Sequence, residues 1–145
     1  MSKTIKTEIT IQGGKEKVWQ VLMDFENYSS WNPLIKKISG KAELGEKIYV
    51  KLQPPGLSEM VFEPTITGFQ PGKRFAWLGK LWRKGLFDGE HCFEIEDMGK
   101  AIRFVQYESF SGILVPIILL FAGKQTRQGF EAMNEALKNK VEGLK

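Results

Sequence analysis

Near the start of the chain Ile5, Ile9 and Ile11 alternate with Lys6, Glu8 and Thr10, the period of two that marks a half-buried strand over Thr4–Ile11. Gly13-Gly14 breaks it. From Lys15 to Phe25 the period lengthens, with Val18, Leu22 and Phe25 at helical spacing and Trp19 and Val21 beside them. Asn32-Pro33 closes this helical region, because proline disfavours the helical conformation in the residue before it. The period then returns to two. Leu34–Ala42, Ile48–Leu52, Met60–Phe69 and Lys73–Gly79 read as strands, separated by the turn signals Pro54-Pro55-Gly56 and Pro71-Gly72. Pro64 inside the third of these predicts an edge or a bulge. The last third changes character again. Pro116 suits the first position of a helix, and Phe130, Met133, Leu137 and Val141 make one stripe of a long amphipathic helix. Strand, short helices, a run of antiparallel strands and one long helix predict an α+β domain whose curved sheet wraps the final helix.

The stretch Gly85–Phe110 supplies two more strands and a puzzle. Phe87, His91, Phe93 and Ile95 share one face, and Asp88, Glu90, Glu94 and Glu96 the other. His91, the one histidine in the chain, therefore points to the apolar side. A turn at Met98-Gly99 places Ile95 opposite Ile102, Phe93 opposite Phe104, His91 opposite Gln106 and Gly89 opposite Glu108. Glu108 is then diagonal to His91, roughly 7–8 Å away between backbones. Three inward polar groups are costly unless paired or wet. Either they form a closed buried network or they border a cavity, and Gly85, Gly89 and Gly112 in or beside these strands mark close approach or bending.

Composition narrows the classes. The chain has 145 residues, enough for one domain with one substantial core. With 42% hydrophobic and 26% charged residues it reads as globular and soluble rather than disordered. The net charge of +4 is spread among lysines and glutamates, so no nucleic-acid stripe emerges. The nearest approach is Lys80-Leu81-Trp82-Arg83-Lys84, read as a solvated loop. One cysteine, Cys92, permits no internal disulfide and fits a reducing, cytoplasmic setting. It shares the outward face with Glu90 and Glu94 and has no base or cation nearby in sequence, so it reads as a structural thiol. One His and one Cys make no ordinary zinc site. The N-terminus enters a strand directly and is not a signal peptide. The apolar run from Ile113 to Ala122 falls short of the roughly 20 residues of a spanning helix. Being apolar on all sides, it reads as buried or as a dimer contact ahead of a membrane-touching lip. Pro116 and Gly123 near its ends predict a less rigid segment, suited to a gate.

Five segments in order carry a resemblance over nearly the whole chain: "VWQVLMDFENYSSWNP" (18–33), "GFQPGKRFAW" (68–77), "FDGEHCFEI" (87–95), "YESFSGILVP" (107–116) and "GFEAMNEALKNKVE" (129–142). Together they resemble the START-like (SRPBCC) superfamily in its polyketide cyclase/dehydrase-like branch. The resemblance implies a single domain over residues 1–145 with a helix-grip fold: a curved seven-stranded antiparallel sheet around the long C-terminal helix, two short helices after the first strand, and an apolar cavity between sheet and helix. The implied function is binding of a hydrophobic small molecule such as a lipid or polyketide, without a cofactor or metal, by a monomer or homodimer. The alternatives are a cyclase or dehydratase using His91 and Glu108 as its acid–base pair with Gln106 orienting the substrate, and a co-chaperone-like interaction module. The scarcity of placed acids and bases favours binding, since Tyr107 and Arg103 have the outward parity. Candidate ligand-lining residues are Trp31, Ile48, Val50, Trp77, His91, Phe93, Phe104, Gln106, Glu108, Leu120, Phe130, Met133 and Leu137. For Trp31-Asn32-Pro33 a plain helix stop is the simpler reading.

Overall fold

The computed structural model describes residues 2–81, 83 and 85–143. Of the basic loop, Trp82 and Lys84 lie outside the described residues. The first strand, β1 (Ser2–Gln12), is followed by α1 (Lys15–Met23), a single 3₁₀ turn at Phe25–Asn27 and the one-turn helix α2 (Tyr28–Trp31). Seven strands come next: β2 (Ile35–Ser39), β3 (Tyr49–Leu52), β4 (Met60–Phe62), β5 (Thr65–Gln70), β6 (Arg74–Leu81), β7 (Phe87–Asp97) and β8 (Ala101–Ser111). Helix α3 (Val115–Glu142) ends the chain and lies against β1 and β8. The strands form a five-stranded antiparallel sheet, β1-β8-β7-β6-β5, and a three-stranded one, β2-β3-β4. This is the expected α+β helix-grip architecture, with five plus three strands in place of seven. The extra strand arises at Pro64, where the Met60–Phe69 run divides into β4 and β5. Proline has no N–H to give a ladder, and its carbonyl is turned instead to Ile48 N at 3.0 Å.

Asn32 ends the helical region by a visible device. Its Oδ1 accepts from Leu34 N at 2.9 Å and Ile35 N at 2.8 Å, which starts β2 where the helix stops. Trp31 packs on Tyr28, with ring centroids 5.3 Å apart.

The last hairpin keeps its predicted faces but not its predicted partners. Ile95 pairs with Phe104, Phe93 with Gln106, His91 with Glu108 and Gly89 with Phe110, a slip of two residues from the expected register. The reversal is made by Gly99-Lys100, flanked by Met98 N donating to Ala101 O at 2.9 Å. Gly99 takes φ +95, the positive value a tight hairpin needs at its first central residue, and its N–H reaches Asp97 Oδ1 at 2.9 Å. A slip by two leaves every side chain on its original face, so hydrophobic alternation cannot detect it.

Helix α3 runs unbroken through Gly123, and Pro116 sits in its first turn, where its missing N–H costs nothing. The Ile113–Ala122 segment is not buried all round: Ile113, Ile117, Leu120 and Phe121 are 59–79% exposed. Two backbone bonds anchor the start of α3, Ile113 N to Gly85 O at 3.1 Å and Leu114 N to Leu86 O at 2.9 Å. Gly112 makes that approach feasible, since a β-carbon there would collide with the Leu86 carbonyl.

Candidate functional site

Inward-facing pairs along β6 and β7 are bulky at two successive steps and then vanish. Phe75 faces Phe93, then Trp77 faces His91, then Gly79 faces Gly89. Where both partners are glycine, nothing rises from the sheet to meet α3, and a cavity of about 300 Å³ opens there. Trp77 and His91 form one wall, and Phe87 and Phe110 another. Ile118, Leu119, Ala122 and Phe130 of α3 form a third. Leu52, Leu57, Met60 and Phe62, from β3, β4 and the loop between them, complete it with Leu34. The lining is apolar apart from a few groups, chiefly His91, Glu108, Lys80, Ser58 and Thr126.

His91 and Glu108 meet in this wall. His91 is 1% exposed and is surrounded by Trp77, Phe93 and Phe130, with ring centroids 5.1, 4.7 and 4.8 Å away. Its Nδ1 lies 3.2 Å from Glu108 Oε1 and its Nε2 2.9 Å from Gln106 Oε1. Gln106 donates from Nε2 to Phe130 O at 3.3 Å and to Asn134 Oδ1 at 2.8 Å. Asn134 donates to Thr7 Oγ1 at 2.9 Å, and Thr7 donates to Gln106 O at 2.9 Å. A backbone carbonyl only accepts, so Phe130 O fixes which end of the Gln106 amide is nitrogen. Gln106 therefore offers oxygen to His91, and His91 Nε2 carries a proton. His91 Nδ1 is then left facing Glu108 Oε1 across the 3.2 Å contact. The side chain of His91 is only 2% exposed and that of Glu108 20%, so Glu108 is the member of the pair that reaches the open space. Gly89 gives it room: a β-carbon there would overlap Glu108 Oε2.

Of the sequence-chosen positions, Trp77, His91, Glu108 and Phe130 come together around the cavity. Gln106 stands one layer behind, fully buried. Ile48, Val50, Phe93, Phe104, Met133 and Leu137 do not line it; they are close-packed core at 0–3% exposure. Trp31 is half-buried away from it, and Leu120 is 79% exposed on the outer side of α3. The residues missed are those of the glycine end, among them Phe87, Phe110, Ile118 and Leu119. Their signal was the inward parity shared by Gly79 and Gly89, and the backward extension of the Phe130 stripe through Thr126 and Ala122.

Cys92 has the outward parity but is fully buried. Arg74 Nη2 is 3.3 Å from its sulfur, a cation supplied by the neighbouring strand rather than by nearby sequence. Burial pushes the thiol above its ordinary value, and Tyr107 and Arg74 only partly offset this. Tyr107 donates to Glu94 Oε2 at 2.8 Å, which Arg74 Nε approaches to 3.3 Å. This outer-face cluster is far from the cavity lining. Among the described residues no group of His, Cys, Asp and Glu is arranged to hold a metal, and no helix is long and apolar enough to cross a membrane.

A long C-terminal helix packed on an antiparallel sheet beside an apolar hollow is the architecture of the START-like class. The family model for polyketide cyclase / dehydrase and lipid transport matches residues 2–142, and the chain belongs to that family. Among solved structures it is similar to a START superfamily protein from Mycobacterium smegmatis, at 19% identity and TM-score 0.73, covering 98% of this chain and 99% of that one. A norcoclaurine synthase from Thalictrum, in complex with a transition-state analogue, aligns at 13% identity and TM-score 0.74 over 99% and 96% of the two chains. The di-domain aromatase/cyclase StfQ of the steffimycin biosynthetic pathway aligns at 10% identity and TM-score 0.71, covering 99% of this chain and 50% of that one. No curated protein matches the chain significantly.

Proposed function

We propose that this chain binds a small hydrophobic molecule between sheet and α3, with Glu108 engaging the ligand's one polar group and His91 holding Glu108 in place. The observation that carries this reading is the apolar cavity of about 300 Å³ with a single hydrogen-bonded polar pair in its wall. That volume is at the low end for small-molecule pockets, and few, well-placed polar groups in an apolar lining are how such pockets set orientation. Family membership and the ligand complex of the Thalictrum neighbour support the same reading. The test fills the space. Ala122 lines the cavity from α3, so Ala122→Phe should weaken binding of anilinonaphthalene sulfonate about tenfold or more while the protein stays folded. Unchanged probe binding by a folded Ala122→Phe variant would sink the proposal. Mass spectrometry of the ligand extracted from purified protein would name its class.

One observation favours a catalytic variant of this reading. The His91–Glu108 contact lies in the wall of the void, within reach of a bound substrate, where such a pair can serve as acid and base. Under that reading His91→Gln abolishes turnover of a bound polyketide-like substrate and leaves its binding intact.

A further inference from the structure

The N-terminal half of α3 is apolar on two faces. Ile118, Leu119 and Ala122 look into the cavity, while Ile117, Leu120 and Phe121, with Ile113 just before the helix, face solvent. The exposed set falls at spacings of four, three and one, a continuous stripe on the helix surface. Contiguous exposed apolar surface of this kind marks a contact site.

Charge shows what the contact is with. The start of α3 is joined by two backbone hydrogen bonds to Gly85 and Leu86 of the basic loop. Segments 79–87 and 111–130 together hold five of the chain's 21 Lys and Arg, namely Lys80, Arg83, Lys84, Lys124 and Arg127, and none of its 17 Asp and Glu. The remainder, 16 against 17, is close to neutral, so these two segments carry the net positive charge of the chain. Lys80, Arg83, Lys124 and Arg127 are exposed. A second copy of the chain is a poor occupant. A two-fold interface brings the same patch against itself, and here that sets cation against cation. An apolar face rimmed by cations fits the boundary of a negatively charged bilayer, where apolar side chains enter the acyl region and Lys and Arg meet lipid phosphates.

We propose that the surface formed by Lys80, Arg83, the Gly85–Phe87 segment and the first turns of α3 docks on an anionic lipid bilayer, so that the cavity mouth opens against the membrane. This stands on the outer surface and goes beyond the cavity reading. Lys80, Phe87, Ile118 and Leu119 line the cavity and belong to the same two segments, so the docking surface and the cavity wall share them.

Vesicle flotation tests it. The full chain should float with phosphatidylcholine vesicles containing phosphatidylglycerol and not with phosphatidylcholine alone, and added salt should release it. Leu120→Ser with Phe121→Ser, both at exposed positions away from the cavity lining, should abolish flotation while probe binding in vesicle-free buffer persists. Arg83→Glu with Lys124→Glu should weaken flotation about tenfold or more, by the roughly 1 kcal/mol that each surface cation contributes. Ala122→Phe, which fills the cavity, should still float, so that failure of the cavity reading and failure of docking are told apart. Two outcomes overturn the proposal. One is no flotation with anionic vesicles. The other is a dimer in gel filtration that Phe121→Ser converts to monomer.

Discussion

Between sheet and α3, the end near Met133 and Leu137 is solid and the end near Ile118 and Leu119 is hollow. At the solid end Phe75, Phe93 and Phe104 stack in series, with centroids 6.2 and 6.0 Å apart and planes within 20°. Val18 and Leu22 of α1 are fully buried in the same cluster. At the hollow end the corresponding strand positions are Gly79 and Gly89, and the lining comes from β3, β4 and the loop that joins them. The two ends have the same backbone architecture and the same apolar chemistry. On the β6–β7 ladder they differ in side-chain volume at one glycine pair, Gly79 and Gly89. A domain can thus hold its fold with one half of its interior and leave the other half free for a ligand.

Truncations should separate the ends most sharply. Phe104→Ala, in the stack, should cost about 3–5 kcal/mol, because the surrounding rings cannot collapse into the space. Phe110→Ala removes a ring that already borders a void, and the loss should be clearly smaller, since less packing is forfeited. Urea unfolding of the two variants measures the contrast. Equal losses would mean that the hollow end is as tightly coupled as the core.

His91→Phe comes next. It keeps an aromatic ring among Trp77, Phe93 and Phe130 but strands Gln106 Oε1 and removes the partner of Glu108. We expect a loss of about 1–3 kcal/mol for the unpaired groups, together with altered probe affinity. A large loss of stability with unchanged probe binding would reduce His91 to a structural role. In the wild type, long-range ¹H–¹⁵N spectra should show a proton on His91 Nε2.

A glycine pair gives a finer comparison. At Gly79 a β-carbon would meet only Pro64 Cβ, at an ordinary 3.7 Å, whereas at Gly89 it would strike Glu108. Gly79→Ala should be nearly neutral for both stability and probe binding. Gly89→Ala should change probe binding by displacing the carboxylate, and cost about 1 kcal/mol. Equal effects at the two positions would argue that Glu108 does not need its present location.

The smallest effect is expected on the outer face. The Cys92 thiol is raised by burial, so the folded state favours the protonated form. Its contribution to stability is present below the ordinary thiol range and lost as pH rises through the raised value. Alkylation of the folded chain by iodoacetamide should accordingly lag that of the unfolded chain at mildly alkaline pH. Equal rates would show the thiol to be accessible and unshifted.

The hydrophobic period was enough to place Ile5, Phe93, Phe104, Met133 and His91 on their faces, and with them the layer order and the polar trio. It could not tell His91–Glu108 from His91–Gln106 pairing, because a shift of two preserves parity; the Met98 N–Ala101 O bond that closes the Gly99-Lys100 turn distinguishes them. Nor could it separate Phe104 from Phe110. A phenylalanine facing another ring and one facing empty space present the same residue at the same parity, and the difference lies in Gly89 across the ladder from Phe110. Leu120 of α3, expected to face a ligand, is exposed for a related reason. An apolar run names no direction, and both the cavity and the solvent lie beside that helix.

The pairing of β1 with β8, Ser2 opposite Ser111 and Gln12 opposite Ala101, has a consequence in time. During synthesis of this domain β1 has no ladder partner until β8 follows, and the Thr7–Asn134 bond waits longer still. At about 5–20 residues per second of synthesis, β1 spends on the order of ten seconds as an unpaired edge with Ile5, Ile9 and Ile11 on one side. So non-local a closure also slows refolding of the complete chain. The newborn β1 is then the part of this domain most open to chaperone capture and to mispairing with a second nascent chain.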